Sequence, residues 1–156
     1  SQQLSVASAA AIWKRLQSAH MTKAKAIMSA DDDTLRAAGL SRQKIRYARA
    51  LAASGIDFTR LRQCDDAEVI SVLTEVSGIG VWTAEIYAMF SLSRPDIFAP
   101  GDLALQEAAR SLFDLPQRPK ERALRQMAEA WSPWRSVAAR LLWAYYAVIK
   151  NKEGIA

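Results

Sequence analysis

Asp102 is the residue in this sequence best placed to carry out chemistry. It follows Pro100 and Gly101 and opens a helix predicted over 102–112. An aspartate at a helix start accepts hydrogen bonds from free backbone N–H groups, so the local sequence by itself indicates a helix N-cap. A carboxylate fixed in this way can also stabilise a developing positive charge or orient a water molecule. Asp102 is therefore a candidate for both roles.

A second feature is the Gly-x-Gly turn Gly78-Ile79-Gly80, which separates helices predicted over 65–76 and 81–92. Glycine permits positive φ angles and a close approach by another backbone. The free N–H groups at the start of the following helix form an anion site without any side-chain contact. The turn is thus either a plain connection or a place where a phosphate binds.

The charge of the chain favours a polyanionic partner. Its 156 residues carry a formal net charge of +5 and give a pI of about 9.6, a balance typical of, though not specific to, nucleic-acid-binding proteins. Arg42, Lys44 and Arg46 share one predicted helix face, which is either a solvated face or a phosphate contact. No apolar run approaches the length of about 18 residues that a membrane span needs, and no signal peptide is visible.

Several other residues invite a chemical role, and the sequence favours a structural one for each. Cys64 can neither form an internal disulfide nor supply a zinc or iron–sulfur site alone. His20 has no partner histidine, and the acidic run 31–33 is more typical of a helix start than of a metal site. Glu85 is expected to be exposed and structural. The tryptophans expected in the core are Trp13, Trp131 and Trp134.

The spacing of apolar residues predicts an all-α fold. Towards the end of the chain, apolar residues recur at alternating intervals of four and three residues from Trp134 to Val148, which is one face of a helix. Alternation typical of strands is absent, and the length suits one ordinary domain. Helices are predicted over 4–17, 41–53, 65–76, 81–92, 102–112, 119–130 and 134–149, with a further helix start at 31–33.

Two segments carry a resemblance to a known family. Residues 78–84 resemble the helix-hairpin-helix of the base-excision glycosylases, and residues 97–103 resemble the Gly/Pro-rich loop and aspartate of that HhH-GPD superfamily. Further segments resemble its alkyladenine branch, the bacterial 3-methyladenine DNA glycosylase II type. They are Gln2–Ser5 with Ala10–Trp13, Gly39–Lys44 and Trp131–Ser136.

The resemblance implies a monofunctional DNA glycosylase of base-excision repair. Such an enzyme flips an alkylated base, of the 3-methyladenine type, out of the duplex and hydrolyses its N-glycosidic bond, here with Asp102 as the catalytic carboxylate. Trp82 occupies the place where bifunctional superfamily members carry a Schiff-base lysine, so no lyase activity is expected. The implied base pocket contains Trp82, Trp143 and Tyr87, and Ile86 stands where relatives carry a tyrosine.

The resemblance also implies contacts to the DNA backbone and one ion. The backbone-binding residues are expected to be Ser77, Gly78, Ile79, Gly80, Val81, Thr83 and Lys44. No catalytic cofactor is implied, but a structural Na⁺ or K⁺ is expected at the backbone carbonyls of Thr74, Val76 and Ile79. The family hairpin usually begins with Leu-Pro or Phe-Pro, whereas this chain has Val76-Ser77, so the loop is expected to be less rigid.

Residues 1–156 are expected to form a single HhH-GPD glycosylase core that lacks an N-terminal piece found in family members. The expected partner is double-stranded DNA with a damaged base, bound by a monomer with no membrane association, in the cytoplasm at the nucleoid of a bacterium or in the nucleus of a eukaryote. The alternatives are a glycosylase for another lesion (uracil or a mismatched base), a non-catalytic DNA-binding hairpin module, and an inactive fragment.

Overall fold

The computed structural model describes the backbone of residues 6–153 and the side chains of residues 8–151. Within this range every regular element is an α-helix, which confirms the predicted all-α class. The helices are α1 (Val6–Ser18), α2 (Ala24–Ser29), α3 (Asp32–Ala37), α4 (Arg42–Ala53), α5 (Phe58–Leu61), α6 (Asp66–Thr74), α7 (Val81–Phe90), α8 (Leu103–Leu112), α9 (Glu121–Glu129) and α10 (Arg135–Glu153). No helix in this range is long and apolar enough to cross a membrane.

The predicted long helices are confirmed, with ends that differ by a few residues. The acidic run does start a helix, because the Asp31 side chain accepts a hydrogen bond from the Thr34 N–H at 2.7 Å. The short helices α2 and α5 escaped prediction, since six or fewer residues span less than two turns and show no period. The resemblance at Gln2–Ser5 lies outside the described residues.

The chain divides into two compact units. The first comprises residues 1–58 with 74–79, and the second comprises residues 59–73 with 80–156. In the first unit, α2 and α3 pack against α4. Arg49 of α4 reinforces this packing, since its Nη2 donates to the Ala30 carbonyl and to Asp32, each at 2.8 Å. The core of this unit consists of Leu16, Ile27, Leu35, Ala38 and Ile45.

In the second unit, α8 packs against α9 and α10. Small side chains allow these helices to approach closely, because an alanine adds only a methyl group to the helix surface. The fully buried alanines of this unit are Ala84, Ala88, Ala99, Ala108, Ala109 and Ala139. Larger residues fill the remaining core, among them Val69, Met89, Leu105 and Leu124.

The connection between α7 and α8, residues 91–102, is anchored by the start of α10. Arg135 binds Asp96 through two N–H groups, at 2.7 and 2.8 Å, in the fork geometry that suits a carboxylate. These bonds lower the pKa of Asp96 to about 2. The buried Ser136 hydroxyl donates to the Arg94 carbonyl at 2.7 Å and accepts from the Ile97 N–H at 3.1 Å. These bonds hold residues 94–97 of the connection against the start of α10.

Two of the three tryptophans expected in the core are exposed, so that prediction was wrong for Trp13 and Trp134. The exposed fractions are 53% for Trp13 and 62% for Trp134. Trp134 directly precedes α10, on the side of that helix where Leu141 is also exposed, so this apolar side faces solvent. Trp13 borders an open apolar groove of the first unit. Trp131 is partly buried, edge-on to Phe98 at a centroid distance of 5.3 Å.

Candidate active site

Asp102 caps α8 from the end of a tight turn. Its backbone is extended, with φ −75° and ψ 121°, and its N–H donates to the Ala99 carbonyl at 3.0 Å. Oδ1 accepts hydrogen bonds from the N–H groups of Ala104 and Leu105 at 2.9 and 3.1 Å. The N-cap interpretation from the sequence is confirmed, and the cap fixes one edge of the carboxylate.

Two indole rings complete the surroundings of this carboxylate. Trp143 of α10 donates from Nε1 to Oδ1 of Asp102 at 3.2 Å, and Trp82 of α7 donates from Nε1 to Oδ2 at 3.1 Å. Three residues that the resemblance associated with catalysis and base binding therefore meet at one point. Their distances along the chain are 20 residues from Trp82 to Asp102 and 41 residues from Asp102 to Trp143.

The rings around Asp102 are accessible from solvent. Trp82 is 43% exposed and Trp143 is half-buried. An indole N–H binds the carboxylate through the edge of the ring, so the exposed face of Trp82 stays available to a flat ligand. An accessible aromatic face beside a fixed carboxylate suits a ligand that is flat and electron-poor or cationic.

Phe90 is a third ring of this site that sequence reasoning missed. It packs on Trp143 with a centroid distance of 5.6 Å and an angle of 35°, and the guanidinium of Arg140 lies 5.1 Å above it. The sequence could have indicated it, because Phe90 follows Trp82 by eight residues on the same predicted helix. The two side chains are then about two turns apart and about 80° apart around the axis. Tyr87, by contrast, is about 140° around the axis from Trp82 and half-buried, so its place in the pocket stays a prediction.

Glu85 corrects a second expectation. Predicted to be exposed, it has an accessible fraction of only 4%. Oε1 accepts a hydrogen bond from Arg125 Nη2 of α9 at 2.8 Å, and this ion pair offsets the cost of burying the carboxylate. Burial nevertheless raises the pKa of Glu85, while Arg125 acts in the opposite direction. The pair links α9 to the helix that carries Trp82 and Phe90.

The turn at Gly78 has a conformation that only glycine adopts easily. Its φ is +93°, and a Cβ added there would run into the ring of Tyr47. The turn closes with the Ile79 N–H donating to the Val76 carbonyl at 3.0 Å. Ser77 is exposed beside it. The requirement for glycine at this position is therefore internal to the first unit.

The start of α7 has different properties. Gly80 is its N-cap with φ −88°, makes no side-chain cap, and has no atom within 4 Å of an added Cβ. The first N–H groups of a helix have no partner within the helix, and the exposed Val81 and Thr83 belong to this first turn. None of the described residues demands glycine at position 80, whereas an approaching phosphate would benefit from its lack of a side chain.

Lys44 lies on α4 of the first unit. It is half-buried, and its N–H donates to the Ser41 hydroxyl that caps the helix, at 3.3 Å. Arg42 and Arg46 on the same helix are exposed, but each lies about 160° around the axis from Lys44, so the prediction that the three share one face was wrong. A role for Lys44 at the DNA backbone stays a prediction. No group of three or more His, Cys, Asp or Glu side chains that could hold a metal ion occurs among the described residues.

Comparison with known proteins agrees with these observations. Residues 1–133 match the HhH-GPD superfamily of base excision DNA repair proteins. DNA-3-methyladenine glycosylase 1 of Schizosaccharomyces pombe is 33% identical in an alignment of length 152, which covers 92% of this chain and 67% of that protein. Across its curated relatives, the chain covers from 20% to 67% of their lengths.

Solved structures show the same similarity. The Schizosaccharomyces pombe 3-methyladenine DNA glycosylase Mag1, in complex with abasic DNA, matches with a TM-score of 0.82 and 31% identity, over 91% of this chain and 73% of that one. A DNA-3-methyladenine glycosidase from Bacillus halodurans matches with a TM-score of 0.81 and 36% identity, over 96% and 72%. The family resemblance of the sequence is thereby confirmed, and the chain belongs to the HhH-GPD superfamily of base excision DNA repair proteins.

Proposed function

We propose that this protein is a monofunctional DNA glycosylase that removes alkylated bases of the 3-methyladenine type in base-excision repair. The observation that carries the proposal is the Asp102 carboxylate held between the indole N–H groups of Trp82 and Trp143. The names of the relatives support the choice of substrate, since they are 3-methyladenine glycosylases.

The arrangement suits the chemistry of a cationic alkylated purine. Once the nucleotide has rotated out of the stack, the base can lie against the indole faces, where a cation–π contact contributes about 0.5–2 kcal/mol. The bond from C1′ to the base nitrogen then breaks, its electron pair leaves with the base, and the sugar becomes an oxocarbenium-like cation. Asp102 stabilises that charge and orients the water whose oxygen bonds to C1′ and whose proton is released.

Tryptophan at position 82 restricts the outcome to hydrolysis. A Schiff base to C1′ requires an amine, and an indole cannot supply one. The enzyme should therefore leave an abasic site in an intact strand, which supports the assignment as a glycosylase without lyase activity.

DNA would be held mainly through its phosphates. The first turn of α7 offers unpartnered N–H groups, and the chain has a net charge of +5. Ser77 to Val81, Thr83 and Lys44 are the proposed contacts. Affinity should then depend little on sequence and fall steeply as salt rises, which a binding titration between low and physiological salt would measure.

A structural Na⁺ or K⁺ at the carbonyls of Thr74, Val76 and Ile79 is part of the same proposal. Thr74 ends α6, and Val76 and Ile79 follow in the turn where the positive φ of Gly78 reverses the chain. The Val76 carbonyl accepts from the Ile79 N–H and keeps a second lone pair. The ion would brace the turn and take no part in bond cleavage. DNA affinity measured in K⁺ and in a bulky organic cation at equal ionic strength tests it.

The proposed assembly is a monomer on double-stranded DNA that contains a damaged base, within the nucleoid of a bacterium or the nucleus of a eukaryote. Single-turnover excision on duplexes that contain 3-methyladenine, uracil or a mismatch tests the activity directly. Preferred release of 3-methyladenine supports the proposal, and preferred release of another base reassigns the substrate. DNA binding without release of any base would indicate a non-catalytic module or an inactive fragment.

A further inference from the structure

Gln106 is a buried polar residue that the chemistry described above does not use. It lies on α8, one turn after Asp102, and only 7% of it is accessible. Its Nε2 donates to the Pro100 carbonyl at 2.7 Å. Buried polar side chains in folded proteins are hydrogen-bonded, so this short, buried bond satisfies the Gln106 amide and fixes its direction.

The partner carbonyl belongs to the loop that presents Asp102. Pro100 has no N–H and is fully buried, so its carbonyl is its single polar group. On the other side of Gly101, the backbone N–H of Gln106 donates to the Asp102 carbonyl at 3.0 Å. Gln106 therefore binds the carbonyls of both Pro100 and Asp102, one on each side of the peptide bond that precedes Asp102.

The orientation of the carboxylate depends on that backbone. Asp102 directs Oδ1 to the N–H groups of Ala104 and Leu105 and Oδ2 to Trp82. These bonds require the Cα–Cβ direction that the turn before α8 provides. If the Pro100 carbonyl lost its donor, it would rotate to find another, and the peptide planes up to Asp102 would rotate with it.

We propose that Gln106 is a positioning residue for cleavage of the glycosidic bond. Its carboxamide fixes the Pro100 carbonyl, and through it the direction of the Asp102 carboxylate. The inference rests on the proposed function for its catalytic consequence, but the geometric part stands on the contacts alone. A displacement of about 1 Å at a reacting group costs up to about a hundredfold in rate.

The first test compares Gln106→Met with a matched control. Methionine keeps the length of the glutamine side chain and removes its N–H donor. The control Ser136→Ala removes a buried hydroxyl that binds Arg94 and Ile97, in the connection between α7 and α8. We expect Gln106→Met to lower the single-turnover excision rate about tenfold or more while DNA affinity is unchanged. Ser136→Ala should lose thermal stability but keep its rate. Equal losses of rate in both variants would overturn the proposal.

The second test uses Gln106→Glu, which is almost isosteric. When ionised, the new carboxylate cannot donate to the Pro100 carbonyl; when protonated, its O–H can. The excision rate of this variant, relative to the natural protein, should therefore rise as pH falls. Parallel pH profiles would count against a positioning role, and this outcome is available even if Gln106→Met does not fold.

A third measurement separates this inference from the proposed function. The indole N–H signals of Trp82 and Trp143 in ¹H–¹⁵N spectra, assigned with Trp→Phe variants, report the bonds to Asp102 without any substrate. Both signals should move in Gln106→Met and stay in Ser136→Ala. If the natural protein excises no base, the proposed function fails, and these signals still decide whether Gln106 positions Asp102. If the indole signals of Trp82 and Trp143 do not move in Gln106→Met, the positioning role of Gln106 is refuted.

Discussion

The indole Nε1 of Trp143 lies 3.2 Å from Oδ1 of Asp102, the same oxygen that caps α8. Oδ1 therefore both caps the helix and binds an indole of the site, whereas Oδ2 accepts a hydrogen bond from the indole of Trp82. Because the cap fixes Oδ1, it also fixes where the Trp143 ring can lie. The position of the Trp143 ring is thus coupled to the start of α8.

Removal of the indole N–H should separate ring stacking from carboxylate positioning. In Trp143→Phe an aromatic ring remains, but the bond to Asp102 is lost. A hydrogen bond to a charged group contributes about 1.5–3 kcal/mol, so we expect single-turnover excision to slow by about tenfold or more. Trp131→Phe is the matched control, because Trp131 packs on Phe98 and Phe113. If both variants keep the natural rate, the N–H group has no role in catalysis.

The long helices of this fold could be predicted from the sequence, because each depends on neighbours a few residues apart. The cap at Asp102 was visible for the same reason. The meeting of Trp82, Asp102 and Trp143 was not visible in the spacing, since it joins three helices across separations of 20 and 41 residues. Only the family resemblance indicated it, and that resemblance did not indicate Phe90.

Burial of Glu85 shows another limit of local reasoning. A glutamate one turn into a helix is ordinarily solvated, and nothing near it in sequence indicates otherwise. Its partner Arg125 is 40 residues away on α9. The exposed Trp134 is the converse case, since its apolar character indicates the core while the side of α10 that it shares with Leu141 faces solvent.

The pH dependence of stability should reveal the buried carboxylate. Burial raises the pKa of Glu85 above its ordinary value of 4.5, so the folded state binds this proton more tightly than the unfolded chain. The contribution of Glu85 to the free energy of unfolding therefore falls as pH rises from below 4.5. Melting curves of Glu85→Gln should show that its Tm, relative to the natural protein, is higher at pH 7 than at pH 4.

Glu121→Gln is the control for that measurement, because Glu121 also faces Arg125 but is 57% exposed. Its Tm difference from the natural protein should change little over the same pH range. A Glu85→Gln difference that ran in the opposite direction would mean that the ion pair with Arg125 outweighs desolvation.

The two glycines of the hairpin should respond differently to alanine. Gly78→Ala places a Cβ against Tyr47 at a positive φ, so it should destabilise the fold by more than about 1 kcal/mol. Gly80→Ala brings its Cβ within 4 Å of no atom in the part of the chain that the structure describes and should change stability by less than about 1 kcal/mol. Its DNA affinity should fall about tenfold, as expected for loss of a contact to a charged phosphate. Normal affinity in Gly80→Ala would exclude a phosphate at this helix start.

Introduction of lysine at position 82 should not create an efficient lyase. A Schiff-base lysine needs a lowered pKa and a sugar held within reach, and Trp82→Lys supplies neither while it removes an indole bonded to Asp102. Borohydride trapping should yield no covalent protein–DNA product with the natural protein or the variant. The abasic strand should stay intact until alkali is added. Trapped product with the natural protein would overturn the monofunctional assignment.

Asp102→Asn should separate the two roles of this residue most directly. The amide oxygen can still accept from the N–H groups of Ala104 and Leu105, so stability should change by less than the roughly 1 kcal/mol that a deleted cap costs. The amide nitrogen that replaces Oδ2 is a donor facing the indole N–H of Trp82 at about 3.1 Å, so that bond is lost. The negative charge opposite the oxocarbenium ion is lost as well.

Groups that stabilise transition-state charge in a sheltered site contribute about 3–4 kcal/mol, a hundredfold to thousandfold in rate. We therefore expect excision by Asp102→Asn to be nearly abolished, with DNA affinity almost intact. The loss should be largest for alkylated bases with a stable glycosidic bond and smaller for the N3-alkylated purines of the 3-methyladenine type, because a cationic base is already a good leaving group. The test measures excision by single-turnover kinetics, stability by a melting curve and DNA affinity by a binding isotherm, all on the same preparation. A folded variant that binds DNA and excises at the natural rate would show that Asp102 is only a helix cap.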